Sequence, residues 1–331
     1  MINYFKVLNN KIFKGCLLLD DKLLTVNFDE ENKTVLNFFE TETFTQEKEV
    51  KLNEKTFSIF FNYDKFLLAY YPLKCLLKVN IKDDNIDNLD ILNFAPELII
   101  DNYLYGTTVN GSDKTTSKYN ILTNELEELI NKPLRIWGTD GTNIYGVIPG
   151  NGQELFSFCT KNGKLNWSYI FQKKTSGKLL FYNKSVISLG KKEIVVLDTE
   201  KGNVIWSKDS NNLIKIYENK LINIDAESYK EICVETGKVL IEYPMRKEYE
   251  RNEFKYMGTN SNFTITDTHI YITDAFNPRI GSISRNTGEI DWTAHLEGKS
   301  VTIGNTPLVK NENIIILDSI GKIHILKKNV G

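Results

Sequence analysis

Three glycines in this chain are each followed four residues later by a tryptophan: Gly163 and Trp167, Gly202 and Trp206, Gly288 and Trp292. Each glycine closes a polar turn after an apolar run, as in Ile194-Val195-Val196-Leu197-Asp198-Thr199-Glu200-Lys201-Gly202, and each tryptophan falls in the strand-like segment that follows. A tight hairpin with a bulge needs a residue at positive φ, which glycine adopts at little cost. A hairpin repeated along a chain implies an array of small sheets, so the fold class is all-β.

The frame extends well beyond those three copies. Residues 271–292 align with 186–206, both reading strand, polar turn, strand, then Thr and Gly before Trp. Residues 221–237 and 144–163 fit the same frame, 104–124, 66–84 and 24–42 fit it more loosely, and a last copy runs over 314–331. The turn positions are then 42, 84, 124, 163, 202, 237, 288 and 331, which makes eight units of about forty residues, the length of a four-stranded propeller blade. Asn124 and Gly237 hold the turn without the tryptophan, and so does Gly331. Glu42 and Asp84 suit it poorly, and seven units is the count if one N-terminal unit is misdivided. Leu165 and Ile290 lie opposite the tryptophan of their strand, which predicts burial on both faces, as for a sheet stacked between two others. The last unit stops where its outer strand is due, so residues 3–8 are expected to supply it and close the ring. Residues 1–331 are thus expected to form one closed β-propeller domain. Each tryptophan is read as a packing anchor, and Trp137 as either core or part of a central funnel.

The order apolar strand, turn, apolar strand, Asp-x-x-x-Gly or Glu-Thr-Gly, then three residues and Trp resembles a known repeat. It is carried best by Leu197 to Trp206, Cys233 to Leu240 and Ser284 to Trp292. It is similar to the pyrroloquinoline quinone-like, or quinoprotein-type, β-propeller repeat, a family that also includes outer-membrane assembly lipoproteins. Gly298 to Pro307 resembles the linker before such a repeat. The resemblance implies a fold, and fold alone does not imply function. Enzymes of that group are exported, bind quinone and calcium in the central funnel and commonly use an adjacent cysteine pair. Cys16, Cys75, Cys159 and Cys233 are far apart, so the chain is placed in the non-enzymatic branch with no cofactor expected.

The remaining chemistry is sparse. The four cysteines have no metal-ligand or redox spacing and are read as reduced, buried strand residues. His269, His295 and His324 are placed in different units, are unpaired in sequence and read as strand-border residues, with no metal site expected. Glu297-Gly298-Lys299-Ser300 ends like a phosphate-binding loop, yet Thr293 stands where its upstream glycine is due. Asp83, Asp84, Asp87 and Asp90 lack the glycine-centred calcium-loop pattern and read as a solvated turn. Charges nearly cancel, 41 basic against 43 acidic residues, so no net field recruits nucleic acid or an anionic membrane. The start Met1-Ile2-Asn3-Tyr4-Phe5-Lys6 is not that of a leader, and a soluble, cytoplasmic monomer is expected.

The even step fails once. From Gly237 to Gly288 there are 51 residues, about ten more than the other units average. The extra length is assigned to residues 241–262, an inserted loop between one blade's outer strand and the next blade's inner strand. It holds Arg246, Lys247, Tyr249, Arg251 and Tyr256, and the loop Asp274-Ala275-Phe276-Asn277-Pro278-Arg279 of the following unit opens on the same face. With Arg279 these residues compose an arginine- and tyrosine-rich surface of the kind favoured at protein interfaces. The plainer reading is a solvated charged loop with a helical turn. The functional expectation is a non-catalytic, protein-binding propeller, for example in complex assembly or toxin neutralisation. The alternative is an enzyme or small-ligand binder using the central funnel.

Overall fold

The computed structural model describes residues 2–8, 13–18, 22–52, 58–62, 66–71, 75–80, 86–89, 93–150, 153–172, 175–190, 193–209, 214–256, 263–274, 276–296, 306–311, 313–318 and 321–328. Among these residues the strands form eight antiparallel four-stranded sheets. Seven are meanders of consecutive strands over 13–51, 58–89, 94–130, 135–170, 175–209, 214–244 and 263–295, termed sheets 1 to 7. Sheet 8 draws three strands from 308–328 and its fourth from the other end of the chain. There Ile2–Leu8 pairs with Ile323–Lys328, from Ile2 opposite Lys328 to Leu8 opposite Ile323. The segment expected to complete the last unit is therefore its outer strand.

The chain divides into two compact units. One comprises Met1–Asn53, Asn212–Val234 and Lys238–Gly331, and the other Glu54–Asn211 with Glu235–Gly237. In the first, consecutive sheets are layered through their side chains. Leu23 and Phe39 of sheet 1 meet Ile315 and Ile323 of sheet 8, whereas Tyr271 and Ile280 of sheet 7 meet Ile314 and Ile316 of sheet 8. The strand Asn313–Leu317 thus buries both faces, which is why it reads as an unbroken aliphatic run and does not alternate. In the second unit Tyr105 and Leu129 of sheet 3 pack on Ile144 and Phe158 of sheet 4. Tyr145 and Trp167 of sheet 4 pack in turn on Leu179 and Val186 of sheet 5. Trp137 joins that last layer, partly buried.

Glycine and tryptophan turn out to be partners between sheets more than within one. A Cβ on Gly202, in the last hairpin of sheet 5, would stand 2.5 Å from the indole of Trp167 in sheet 4. The same indole donates from Nε1 to the Thr199 carbonyl in that hairpin at 2.9 Å. Gly202 also lies at φ 70°, where its N–H donates to the Asp198 carbonyl at 2.9 Å, so its lack of a side chain is required twice. Trp206 stacks in the same way on Gly237, and Tyr243 takes the place of an indole over Gly288. The spacing of four has a separate cause. Val196 faces Trp206 while Leu197 faces Val204, so Ile205 is the extra residue of a bulge, and the shift recurs in sheets 4 and 7.

Three expectations need correction. In sheet 1 the left-handed turn residue is Phe44, at φ 53°, rather than Glu42, and its buried ring is part of the core shared with sheet 8. Side-chain burial there outweighs the backbone preference for glycine. Second, Leu165, on the outer strand of sheet 4, is 49 % exposed, with no further layer over it among the described residues. Ile290, the equivalent residue of sheet 7, is 4 % exposed because the segment after sheet 6 covers it. Third, His269 and His295 belong to one sheet, on strands His269–Thr273 and Ile290–His295. The predicted turns at Asp84 and Gly331, the Glu297 to Ser300 motif, and Asp83 and Asp90 lie outside the described residues.

A buried charge network joins sheets 6 and 7. Glu231, 1 % exposed, accepts from Arg285 Nε at 2.9 Å, is paired with Lys220 Nζ at 2.8 Å and accepts the Tyr229 hydroxyl. Arg285 also donates to the carbonyls of Thr266 and Asp267 and lies 4.7 Å from the Tyr217 ring centroid. Burial alone would raise the Glu231 carboxyl; the bonds from Arg285, Lys220 and Tyr229 outweigh it and hold the group below the ordinary carboxylate range.

Candidate functional site

The outer strand of sheet 6, Val239–Pro244, runs past the expected boundary at 241, so the extra segment begins at Met245. Its first residues form a single short helix, α1 (Arg246–Arg251). The local sequence accounts for the helix. Met245 and Tyr249 are four apart and share one apolar face, while Arg246, Lys247, Glu250 and Arg251 cover the exposed face. Arg246 pairs with Glu250 at 3.3 Å and Arg251 with Glu248 at 2.7 Å, each within one turn. The chain leaves α1 through Glu253, at φ 49°, with Phe254 N–H bonded to the Tyr249 carbonyl at 2.8 Å.

Two contacts fasten this segment to sheet 7. Glu248 Oε2 accepts the backbone N–H of Ile290 at 3.1 Å, on the edge of the outer strand. Asp274, in the second loop of sheet 7, accepts Lys255 N–H with Oδ2 at 2.9 Å and the N–H groups of Phe276 and Asn277 with Oδ1, each at 2.9 Å. Arg279 adds a bond from Nη1 to the Glu253 carbonyl at 3.0 Å. The extra segment and the loop 274–279 thus share one face of the sheets, as the repeat frame predicts.

The expected arginine and tyrosine surface divides in two. Arg246, Lys247 and Arg251 are exposed and Arg279 is half-buried. Tyr249 and Tyr256 are buried, in a cluster with Phe254, Ile272, Ile283 and Ile290. Tyr249 stacks on Tyr256 at 5.7 Å and on Phe254 at 6.3 Å between ring centroids. Burial pushes both phenols above their ordinary range, so they stay protonated. These tyrosines anchor the segment and contribute little to its exposed surface. The i, i+4 spacing of Met245 and Tyr249 carries that signal; a composition argument does not see it.

Between α1 and the loop of sheet 7 lies an open cleft of about 650 Å³. Tyr249, Phe254, Tyr256 and Phe276 line it together with Glu227, Arg246, Glu250, Glu253 and Lys255. Phe276 is 58 % exposed and carries the Lys255 ammonium 5.8 Å from its ring centroid. Phe276, Asp274 and Glu227 are the residues sequence reasoning did not select. A second cleft, of about 620 Å³, is polar and lies within sheet 3 around Lys114, Glu128 and Lys132.

The other candidates land apart from this site. His324 is buried and bonded to Asp318 at 2.8 Å, and His269 is bonded to Asp291 at 2.8 Å. Among the described residues no three His, Cys, Asp or Glu side chains are grouped to hold a metal ion, and no helix is long and apolar enough to cross a membrane. Cys16, Cys159 and Cys233 form no disulfide among the described residues and are half-buried rather than fully buried as expected, and burial pushes the Cys16 thiol up to about 11.

Comparison with solved structures identifies the fold. BamB from Moraxella catarrhalis superimposes with a TM-score of 0.64 at 11 % identity, covering 100 % of this chain and 99 % of that one. The C-terminal WD40 domain of Sif2 gives 0.68 at 10 % identity, with 99 % of both chains covered. The computationally designed Ika8 protein also gives 0.68, at 10 % identity over 97 % of both. The architecture shared with BamB and the WD40 domain is a β-propeller of four-stranded blades. A sequence search of the curated proteins returns no match. A family model described as outer membrane protein assembly factor BamB matches residues 135–331, more than half of the chain. The chain belongs to that BamB-like family of quinoprotein-type propeller repeats.

Proposed function

We propose that the protein is a non-catalytic propeller in which the eight sheets close one ring and a partner protein is bound on the face carrying the inserted segment expected at 241–262, of which residues 245–256 are described. One observation carries the reading. The described part of the segment that breaks the repeat, residues 245–256, is folded, docked on the next sheet through Asp274 and Arg279, and presents Arg246, Lys247 and Arg251 to solvent beside an exposed Phe276. A rigid scaffold that displays loops is how such folds recognise ligands. The description of the family as an assembly factor supports a role in complex assembly. Replacing Arg246, Lys247 and Arg251 together by Ala leaves the buried anchors Tyr249 and Tyr256 in place. Loss of partner capture from native extract, with an unchanged melting curve, is the expected result. Undiminished capture by the triple variant refutes the reading.

A further inference from the structure

The cleft beside α1 has the make-up of a receptor for side chains. Phe276 is exposed on a loop whose backbone is bonded to Asp274 at Phe276 and Asn277. Asp274, 1 % exposed, holds the Phe276 loop with one carboxylate oxygen and Lys255 N–H with the other, so a single buried group sets both walls of the cleft. An exposed aromatic side chain on a fixed loop is what an interface anchor requires, since little ordering cost remains to be met on binding. The rim adds a sign of charge. Arg246 is engaged by Glu250, and Lys255 stands over the Phe276 ring. Glu227 and Glu253 line the same cleft, and neither carboxylate has an ion-pair partner among the described residues. Three carboxylates thus face two cations, and the unmatched charge is negative.

We infer that this cleft receives a basic residue flanked by an apolar one, presented by an extended segment of a partner protein. The apolar side chain lies against Phe276, and the guanidinium or ammonium is held by Glu227 and Glu253. The cleft is open to solvent, which suits a side chain presented by a chain segment better than an enclosed small molecule. This inference rests on the partner-binding reading above and gives the chemistry of its site.

The test uses the full chain, titrated with a capped, fluorescein-labelled peptide alternating phenylalanine and arginine and with its glutamate counterpart, read by anisotropy. Saturable binding of the arginine peptide, at least about tenfold tighter than the glutamate peptide and weakened by added salt, is expected. Phe276→Ala weakens it about tenfold, and Glu227→Gln with Glu253→Gln about fivefold. Lys114→Ala, at the polar cleft of sheet 3, leaves it unchanged. Equal affinity for the two peptides, saturable binding of neither, or full binding by Phe276→Ala overturns the inference. If native partner capture is lost on replacing Arg246, Lys247 and Arg251 but survives both cleft variants, the inference fails and the partner-binding reading stands.

Discussion

Replacing Gly202 by Ala tests the contact between sheets 4 and 5 directly. Two costs are expected at this position. Holding an L-residue at φ 70° costs about 1–2 kcal/mol. A methyl group whose carbon would stand 2.5 Å from the Trp167 indole, a large ring bonded to Thr199, adds about 1–3 kcal/mol of overpacking. Gly111 separates the two, because it lies at φ 62° with nothing within 4 Å of its own added Cβ. Gly111→Ala therefore shows the backbone cost alone, about 1–2 kcal/mol, against about 2–5 kcal/mol for Gly202→Ala. Urea unfolding of both variants measures the difference, and the cycle with Trp167→Leu assigns it. In the Trp167→Leu background the Gly202→Ala step falls to the backbone cost. Equal losses in Gly111→Ala and Gly202→Ala, or an undiminished Gly202→Ala step after the indole is gone, refutes the account.

Removing residues 1–8 takes the outer strand from sheet 8 and lowers the melting temperature by at least about 5 °C; an unchanged melt contradicts the pairing with Ile323–Lys328. Tyr249→Phe deletes a buried hydroxyl that has no hydrogen-bond partner among the described residues, so stability stays within about 1 kcal/mol, whereas Tyr249→Ala loses about 3–5 kcal/mol. A large loss from the Phe variant in chemical unfolding shows that the hydroxyl is bonded in solution. Glu231 titrates below the ordinary carboxylate range, so the stability it contributes is complete above its unfolded value and is lost as pH falls through the depressed folded one. Glu231→Gln accordingly flattens the acid limb of a stability profile below about pH 5 and costs about 3–5 kcal/mol near neutrality; an acid limb identical to the parent's removes Glu231 from that role.

The repeat was legible because its punctuation is chemical. Glycine at a left-handed turn and an aromatic residue four positions on are visible in one dimension, and so was the missing outer strand that Ile2–Leu8 provides. What pairs with each glycine was not visible, since Trp167 and Gly202 are 35 residues apart in sequence and meet only when sheets stack. Phe44 escaped notice because its burial overrides the turn preference from which the frame was read. At the candidate site the outer strand of sheet 6 extends past the expected boundary at 241 to Pro244, whereas the facing loop was legible from strand counting. The division of the residues was not: Arg246 and Tyr249 sit three apart on one short helix, and only the next sheet decides which of them is covered.

The pairing of Ile2–Leu8 with Ile323–Lys328 also sets a clock. A ribosome releases the first of these strands more than three hundred residues before the second. Throughout that interval the early strand has no native edge to join, and sheet 8 exists only after the last of its strands emerges. At about 5–20 residues per second the wait is some tens of seconds. Contacts this distant in sequence are also the slowest to form by chain diffusion. Sheet 8 is therefore completed late, and a nascent chain halted before residue 323 leaves Ile2–Leu8 without its native partner.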